Sequence, residues 1–391
     1  MTDRRRVAVV GLGVVSVAGI GIDAFWEGLN APQFDGERRV PEFDPADWYD
    51  NPKEARRADR STQFAMASAK MAMTEAGELT CDPGRRGTLY ATGVGGMATF
   101  EGQVEIFLNK GARRVSPFMI PMMMPNAPGA AISMHYGLQG PNETVTTACA
   151  ASTHAIGNAA RLIQYGRCDV VVTGGTEATM TPVGMAGFGN MTALSSSGRS
   201  MPFDVARDGF MMAEGGATLV LEEWESAVAR GAHIYGEILG SGSNADAHHI
   251  TAPSPGGAGA VRCMQLALED ARIGASDVVH INAHGTSTQL NDAAEAHAIS
   301  KLFSSPGPLV TSTKGVTGHG LGAAGAFEAI AVLLAMRHRK IPPTAGFTTP
   351  DPELPEINLV HGAAADWTPG PSLSNSFGFG GHNGSLAIGP A

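Results

Sequence analysis

A single cysteine, Cys149, lies where the sequence changes from one pattern to another. A β-branched run over 144–147 precedes it, and small and apolar residues at helical spacing follow it. This pattern predicts a strand that turns sharply into a helix, with Cys149 at the turn. A lone cysteine is most often a small buried hydrophobe. A helix N-terminus, however, presents unpaired N–H groups and partial positive charge, which lower a thiol's pKa and favour the reactive thiolate. Cys149 is therefore a candidate nucleophile.

Two histidines and a lysine lie in glycine-containing loops of the second half of the chain. His284 follows an apolar strand-like run in "NAHGTST", and Lys314 and His319 precede a long apolar helix in "STKGVTGHGLGAAGAFEAI". A glycine-rich loop before a helix could instead cradle a phosphate, but the phosphate-loop pattern GxxxxGK[ST] is absent. Near the end of the chain, "NSFGFGGHNGS" (375–385) carries two aromatic rings in a glycine-rich turn.

The composition bounds the kind of protein that holds these residues. The chain has 391 residues, 43% of them hydrophobic and only 16% charged, with 51 glycines. These values predict a large, tightly packed α/β protein. A net charge of -10 argues against nucleic acid as a partner. The four cysteines lack metal-type spacing, so we expect reduced thiols in a cytoplasmic protein without a metal site. No apolar run approaches the ~20 residues of a membrane span.

Strand-like runs alternate with helical segments, which predicts parallel strands joined by crossover helices. Helices are predicted over 60–77, 258–273 and 322–339. The alternation restarts after Glu225, so we predict two α/β halves. The first, 1–225, carries the candidate nucleophile, and the second, 226–391, carries the two histidines.

Taken together and in order, these motifs resemble the elongating β-ketoacyl-acyl carrier protein synthases, the condensing enzymes of dissociated fatty acid synthesis. The motifs that carry the resemblance are "GLGVVS", "KEARRADRSTQFAMASA", "TACAAS", "GGTEA", "PFDVARDGF", "AEGGATLVLEE", "NAHGTST", "DAAEA", "STKGVTGHGLGAAGAFEAI" and "NSFGFGGHN". They span nearly the whole chain. The resemblance implies an α/β thiolase fold, in which two duplicated βαβαβαββ halves form five αβαβα layers around a site between them.

The resemblance also implies roles for individual residues. Cys149 corresponds to the acyl-accepting nucleophile, and His284 and His319 correspond to the two catalytic histidines. Lys314 corresponds to the lysine that organises the site. Phe377 corresponds to the gating aromatic whose N–H, with that of Cys149, forms the oxyanion hole. The other implied positions are the supporting carboxylates Glu328 and Asp292 and the substrate-binding residues Thr286, Thr288, Phe188, Val94 and Phe379, with Val94 deep in the acyl pocket.

The implied reaction is a decarboxylative Claisen condensation, and the residue types suit it. A thiolate takes the acyl chain, and two neutral histidines donate hydrogen bonds to the enolate formed from a malonyl group. The expected partner is an acyl carrier protein with phosphopantetheine-linked acyl and malonyl groups, and no cofactor or metal is expected. Because that carrier is acidic, docking requires local basic residues. The candidates are Lys53, Arg56, Arg57, Arg113 and Arg114.

Other functions fit the sequence less well. A degradative thiolase needs a second cysteine near the C-terminus, and an initiating synthase has Asn where this chain has His319. A chain-length factor lacks the nucleophile. A dinucleotide site at "VVGLGVVS" lacks its third glycine, and a purely structural or carrier-binding protein would not need the nucleophile and histidines. His382 and the methionine-rich 119–126 keep one alternative open, a ketosynthase subunit of a type II polyketide synthase. The chain would then pair with a chain-length factor rather than form a homodimer.

Overall fold

A computed structural model of the chain describes residues 4–31 and 36–391. The three helices predicted from the sequence are present, as Arg60–Ala76, Ala258–Ala271 and Ala324–His338. The helices are α1 Ile22–Leu29, α2 Pro52–Ala55, α3 Arg60–Ala76, α4 Met97–Lys110, α5 Met119–Met123, α6 Ala127–Tyr136, α7 Ala151–Gln164, α8 Pro182–Asn190, α9 Trp224–Ala229, α10 Ala258–Ala271, α11 Gln289–Leu302, α12 Lys314–Thr317 and α13 Ala324–His338. The strands are β1 Val7–Ser16, β2 Gly19–Ile20, β3 Arg86–Ala91, β4 Asn142–Val145, β5 Val170–Glu177, β6 Gly215–Glu223, β7 Gly236–Ala245, β8 His280–Asn282, β9 Leu309–Thr311, β10 Lys340–Ile341, β11 Ala365–Asp366, β12 Ser372–Gly378 and β13 His382–Gly389.

The strands form two copies of one pattern. In the first copy β3 pairs in parallel with β4 and β5, while β6 pairs antiparallel with β5 and β1. In the second copy β8 pairs in parallel with β9 and β12, while β13 pairs antiparallel with β12 and β7. The two five-stranded ladders join where Ala8 and Val9 of β1 pair with Glu237 and Gly236 of β7. With α3, α6 and α7, and then α10, α11 and α13, each copy reads βαβαβαββ in chain order.

The helices complete a five-layer arrangement, as expected for the thiolase fold. Helices α7 and α13 contact each other and lie between the two ladders, since α7 packs on β5 and β7 and α13 packs on β6 and β12. Helices α3 and α10 cover the outer faces. The division predicted at residue 225 falls inside α9 and stays a prediction.

Helix α13 is apolar on all sides because it is a core element. Every residue from Ala324 to Met336 is buried, as is usual for a helix that is hydrophobic all round. The segment Leu321–His338 is long and apolar enough to cross a membrane, but 89% of it is buried inside the protein. Its apolar character is therefore explained by packing between the two ladders.

Candidate active site

Cys149 lies at the turn that the sequence pattern predicts. Strand β4 ends at Val145, a short 3₁₀ helix spans Ala148–Ala150, and α7 begins at Ala151. Cys149 itself is only 5% exposed. The preceding residue, Ala148, has a φ of 49°, a left-handed conformation that costs free energy in a residue other than glycine. The surrounding structure must therefore hold this turn in place.

The pKa of the Cys149 thiol differs from the sequence-based expectation. Burial raises it to about 11. The N–H groups of Phe379 and of Cys149 itself oppose this shift, as does the positive charge of Lys314, but burial outweighs them. The expected lowering at the start of a helix is therefore wrong for the free protein. The sulfur is a thiol at rest and must lose its proton when it reacts.

The imidazole rings of His284 and His319 lie beside this thiol. One nitrogen of each ring and Sγ of Cys149 all lie within 4.8 Å of one another. The two ring centroids are 5.3 Å apart and the planes meet at 83°. Burial lowers the pKa of both imidazoles well below the usual range, and the charge of Lys314 lowers it further. Both histidines are therefore neutral.

A buried ion pair between Lys314 and Glu328 lies behind His284. Lys314 Nζ donates to Glu328 Oε1 and, at 2.6 Å, to the carbonyl oxygen of His284. It also lies 3.3 Å from His284 Nδ1. Because an ammonium group only donates, Nδ1 accepts and Nε2 carries the ring hydrogen. Burial raises the pKa of Glu328 to about 7, and Lys314 opposes that rise.

The turn after β12 corrects one assignment in the sequence analysis. The N–H that faces the sulfur of Cys149 belongs to Phe379, not to Phe377. The ring of Phe377 instead lies edge-on to the ring of His284, with the centroids 6.0 Å apart. The two residues differ because Phe377 lies within β12, where it pairs with Asn383, whereas Phe379 lies beyond the strand in the turn Phe379–Gly381. The candidate oxyanion hole therefore consists of the N–H groups of Cys149 and Phe379.

Two buried carboxylates that the sequence analysis did not single out support this site. Glu295 accepts the backbone N–H groups of His284 and Gly285, each at 2.8 Å. Glu177 accepts those of Gly93 at 2.8 Å and Gly322 at 3.1 Å. Both belong to motifs noted in the sequence, "DAAEA" and "GGTEA". The signal for these two carboxylates in the sequence was an acidic residue within a motif of mostly small residues.

Asp292, predicted as a supporting residue, has a comparable position. Its Oδ2 accepts the N–H groups of Phe203 at 2.8 Å and Ser287 at 3.1 Å. Ser287 has a φ of 69°, so this carboxylate stabilises a strained residue in the loop that carries His284.

A cavity of about 570 Å³ connects the reactive groups to the surface. Cys149, His284, His319, Phe377 and Phe379 line it, together with the predicted substrate-binding residues Thr286 and Thr288. The hydroxyl oxygens of these two threonines are 2.9 Å apart. A thiol-terminated arm that enters this cavity would meet Cys149 at its inner end.

Two predicted pocket residues do not line this cavity. Phe188 packs edge-on against Phe210, with centroids 5.8 Å apart, and Phe210 in turn contacts His319. Phe188 is therefore one ring removed from the histidines. Val94 is 45% exposed because it lies in the surface turn between β3 and α4. Its placement deep in an acyl pocket is not what the single chain shows.

The predicted docking residues lie outside the cavity as well. Lys53, Arg56, Arg57, Arg113 and Arg114 are all exposed. The guanidinium of Arg57 lies 4.9 Å from the ring centroid of Phe118, which follows the second basic cluster in the chain. The first cluster therefore contacts the segment that follows the second cluster in the chain.

The same three reactive side chains are the candidate metal ligands in the described part of the chain. Cys149, His284 and His319 have the ligand types of a zinc site. The charge of Lys314, however, lies 3.3 Å from a nitrogen of His284 and would repel a cation. The arrangement suits proton transfer and anion stabilisation better than metal binding.

Comparison with known proteins gives a consistent family assignment. Residues 30–227 match the family profile "Beta-ketoacyl synthase, N-terminal domain", and residues 235–348 match the corresponding C-terminal domain. The chain is 43% identical to 3-oxoacyl-[acyl-carrier-protein] synthase 2 of a Synechocystis species, covering 99% of this chain and 98% of that protein. It is 42% identical to the protein of the same name from Staphylococcus aureus strain COL, covering 99% of both.

Solved structures agree with these matches. A β-ketoacyl synthase from Burkholderia phymatum superposes with a TM-score of 0.91 at 32% identity, covering 99% of this chain and 100% of that one. The ishigamide ketosynthase/chain length factor superposes with a TM-score of 0.90 at 32% identity and the same coverage. A type II polyketide ketosynthase in complex with its acyl-carrier protein, AntDE:AntF, superposes with a TM-score of 0.89 at 30% identity, again with the same coverage.

Proposed function

The chain belongs to the β-ketoacyl synthase family, and from this we propose that it is a 3-oxoacyl-acyl carrier protein synthase of fatty acid elongation. The single observation that carries the proposal is the convergence of Cys149 with two neutral histidines, within 4.8 Å, at the inner end of an open cavity. A thiol nucleophile beside two imidazole donors suits acyl transfer followed by carbanion chemistry.

In the first half-reaction, Cys149 takes the acyl chain from its carrier. Sγ attacks the thioester carbonyl while its proton passes, through a neighbouring imidazole, to the departing carrier thiol. The N–H groups of Cys149 and Phe379 stabilise the oxyanion of the tetrahedral intermediate. One such donor is worth roughly 3–4 kcal/mol in known enzymes. Because the thiol pKa is about 11, proton transfer must accompany attack.

In the second half-reaction, a malonyl thioester replaces the first carrier. His284 and His319 donate hydrogen bonds to its thioester oxygen, so the C–C bond to the carboxylate breaks and CO₂ leaves an enolate. The enolate carbon attacks the acyl carbonyl on Cys149. Collapse of the tetrahedral intermediate forms the 3-ketoacyl thioester and releases Cys149 as a thiolate, which takes a proton from solvent.

Lys314 and Glu328 set the state of the histidines in this scheme. Lys314 keeps Nδ1 of His284 unprotonated, so that Nε2–H remains the donor. Its charge also keeps both imidazoles neutral. The proposed partner is an acyl carrier protein with phosphopantetheine-linked acyl and malonyl groups. The proposed location is the cytoplasm.

The proposal is tested by the product. Purified protein is mixed with an acyl-carrier protein and malonyl-carrier protein, and carrier species are separated by intact-mass spectrometry. The proposal predicts a 3-ketoacyl-carrier protein two carbons longer than the acyl donor, formed by the wild type and not by Cys149→Ala. Hydrolysis without chain extension, or no reaction with any acyl length, would contradict it.

One observation favours a second candidate, the ketosynthase subunit of a type II polyketide synthase. One of the similar structures is the ketosynthase of a type II polyketide synthase, at 30% identity, and another is a ketosynthase with its chain length factor, at 32% identity. Helix α4 also buries none of its side chains in the single chain, although it carries Phe100, Phe107 and Leu108. Such a face is expected to pair with a second chain, which would be a copy of this chain in the first candidate and a different subunit in the second.

Native mass spectrometry and the condensation assay separate these candidates. A homodimer that extends chains alone supports fatty acid elongation. A chain that condenses only after co-purification with a different subunit of the same fold supports the polyketide function.

A further inference from the structure

The ring of His154 connects the two backbone segments that form the candidate oxyanion hole. His154 lies in the first turn of α7, and its Nδ1 is 2.8 Å from the hydroxyl oxygen of Thr147, two residues before Cys149. Its Nε2 is 2.9 Å from the carbonyl oxygen of Asn383, which lies at the start of β13, directly after the turn that carries Phe379. The ring therefore connects the segment that carries the N–H of Cys149 to the segment that carries the N–H of Phe379.

The polar partners of His154 determine its tautomer. A backbone carbonyl only accepts, so Nε2 carries the hydrogen and donates to Asn383. Nδ1 is then the acceptor, and the hydroxyl of Thr147 donates to it. The hydroxyl oxygen of Ser243, on β7, lies 3.1 Å from the same Nε2. One neutral imidazole thus bonds to the nucleophile turn and the strand after the Phe379 turn, with β7 also in contact.

The neighbouring backbone is shaped to admit this ring. A Cβ at Gly384 would lie 2.8 Å from Cγ2 of Thr153 and 3.2 Å from both Cδ2 and Nε2 of His154, so glycine there makes room for both side chains. On the other side, a Cβ at Gly378 would lie 3.0 Å from the nitrogen of Cys149 and 3.1 Å from the carbonyl oxygen of Thr147. The two turns are in direct backbone contact, and small shifts of either would move an N–H donor.

The nucleophile turn also needs an external restraint. Ala148, between Thr147 and Cys149, has a left-handed φ of 49°, and such a conformation persists only where the surroundings impose it. The side chain directly before the strained residue, Thr147, is held by its hydrogen bond to His154 in the first turn of α7, and His154 is in turn bonded to Asn383 on β13. Removal of His154 would let the turn relax.

We infer that His154 is a positioning residue that holds the N–H groups of Cys149 and Phe379 in register for the oxyanion of acyl transfer and condensation. This inference rests on the proposed function. It does not make His154 a catalytic residue, because its ring nitrogens bond to Thr147 and Asn383 rather than to reacting atoms. It predicts a selective defect. Steps that use the oxyanion hole slow down, while malonyl decarboxylation, assigned to His284 and His319, does not.

The test compares three rates in His154→Leu, His154→Gln and Thr147→Val. These rates are acylation of Cys149, malonyl-carrier decarboxylation and complete condensation. A displacement of a fraction of an ångström to 1 Å at a reacting centre can cost up to about a hundredfold. We therefore expect His154→Leu to lose about tenfold or more in acylation and condensation, with decarboxylation within about twofold. His154→Gln, which can both donate and accept, should recover part of the loss.

Thr147→Val tests the inference independently, because it removes only the contact at Nδ1 and leaves the ring in place. It should slow acylation more than decarboxylation. His297→Gln is the matched control, since His297 is exposed on α11, and it should change none of the rates. Equal losses in acylation and decarboxylation, or no loss in a folded His154→Leu, would overturn the inference. If the wild type itself forms no 3-ketoacyl product, the proposed function fails instead.

Discussion

Cys149, His284 and His319 are all uncharged at rest, and burial is the main cause in each case. Burial raises the pKa of the thiol and lowers the pKa of the imidazoles. A neutral thiol is a proton donor, and the neutral ring of His319 is the available proton acceptor, because Nδ1 of His284 is already bonded to Lys314. The same imidazoles can donate hydrogen bonds to an enolate. Acyl transfer and decarboxylation therefore use one set of side chains in different ways. Acyl transfer needs the thiol and a proton acceptor, whereas decarboxylation needs only the histidines as hydrogen-bond donors.

That difference predicts the behaviour of Cys149→Ala. The variant should take up no acyl group, because the sulfur is absent. It should still release CO₂ from malonyl-carrier protein, because the histidines and Lys314 keep their positions. CO₂ release and intact protein mass measure the two steps separately. An acyl adduct that persists in Cys149→Ala would mean that another residue is the nucleophile. A complete loss of decarboxylation would mean that decarboxylation also depends on Cys149.

Lys314 predicts a shift in pH dependence. After burial, its charge is the next cause that lowers the pKa of His284 and His319. Replacement in Lys314→Met therefore raises both pKa values. Because the neutral imidazoles are the active forms, activity falls as the pH drops through their pKa values. The variant should therefore lose activity at a higher pH than the wild type does. The pH profile of malonyl decarboxylation measures this shift. Lys340→Met, at an exposed position, is the control and should leave the profile unchanged. A shift to lower pH would contradict the assigned role of Lys314.

Several site residues could be predicted from the sequence because residue type and position carried their chemistry. The reactive cysteine at a strand-to-helix turn is one, and the histidines and lysine in glycine-rich loops are others. The oxyanion donor could not be chosen in this way. Phe377 and Phe379 are two residues apart in similar sequence surroundings, and the sequence does not show that β12 ends between them, at Gly378. The pKa of Cys149 also depends on three-dimensional burial, which a helix N-terminus alone does not reveal.

At the scale of elements, the site depends on the contact between two turns. The 3₁₀ turn at Ala148–Ala150 and the start of α7 are held on the second half of the chain. Ser152 Oγ accepts the N–H of Ala326 at 3.0 Å, and the hydroxyls of Thr153 and Ser376 are 2.8 Å apart. The N-terminal turn of α7 is therefore fixed against both α13 and β12.

Gly378→Ala tests this contact between elements. The added Cβ would meet three backbone atoms at 3.0–3.2 Å, those of Cys149, Thr147 and Ala150. Backbone cannot rotate away as a side chain can, so the two turns must separate by a few tenths of an ångström. We expect acylation to slow by about tenfold with little change in the melting temperature. Gly102→Ala, in α4 with no atom within 4 Å of its Cβ, should be neutral. An unchanged acylation rate in a folded Gly378→Ala would show that the turns need not be in register.

At the scale of the whole molecule, the duplicated fold explains why the site lies between the halves. The first βαβαβαββ copy contributes Cys149, and the second contributes His284, His319 and the Phe379 turn. The helical and strand periods in the sequence predict the three tested helices to within a few residues. The five layers followed from the family resemblance. The pairing of β1 with β7, only two residues long on each strand, has no signal in local sequence because it depends on how the two copies meet.

The acidic molecule also predicts where a carrier protein docks. With a net charge of -10, a carrier that is itself acidic would be repelled except near exposed arginines. Charge reversal at Arg57, Arg113 and Arg114 should raise KM severalfold for carrier-bound substrates and weaken its salt dependence. Turnover of a short pantetheine thioester should change little. Reversal at Arg262 and Lys301, exposed on α10 and α11, is the control. Equal losses on both kinds of substrate would mean that the arginines support the fold rather than the docking.

The most direct test of the account is a single-turnover chase of the acyl-enzyme. The protein is acylated from an acyl-carrier protein, freed of donor, and mapped by peptide mass spectrometry before malonyl-carrier protein is added. We predict one acyl group per chain, on Cys149. It should disappear at the same rate as CO₂ and a 3-ketoacyl-carrier protein two carbons longer appear, in equal amounts. An adduct on another residue, or one on Cys149 that malonyl-carrier protein does not convert to the extended product, would contradict the account.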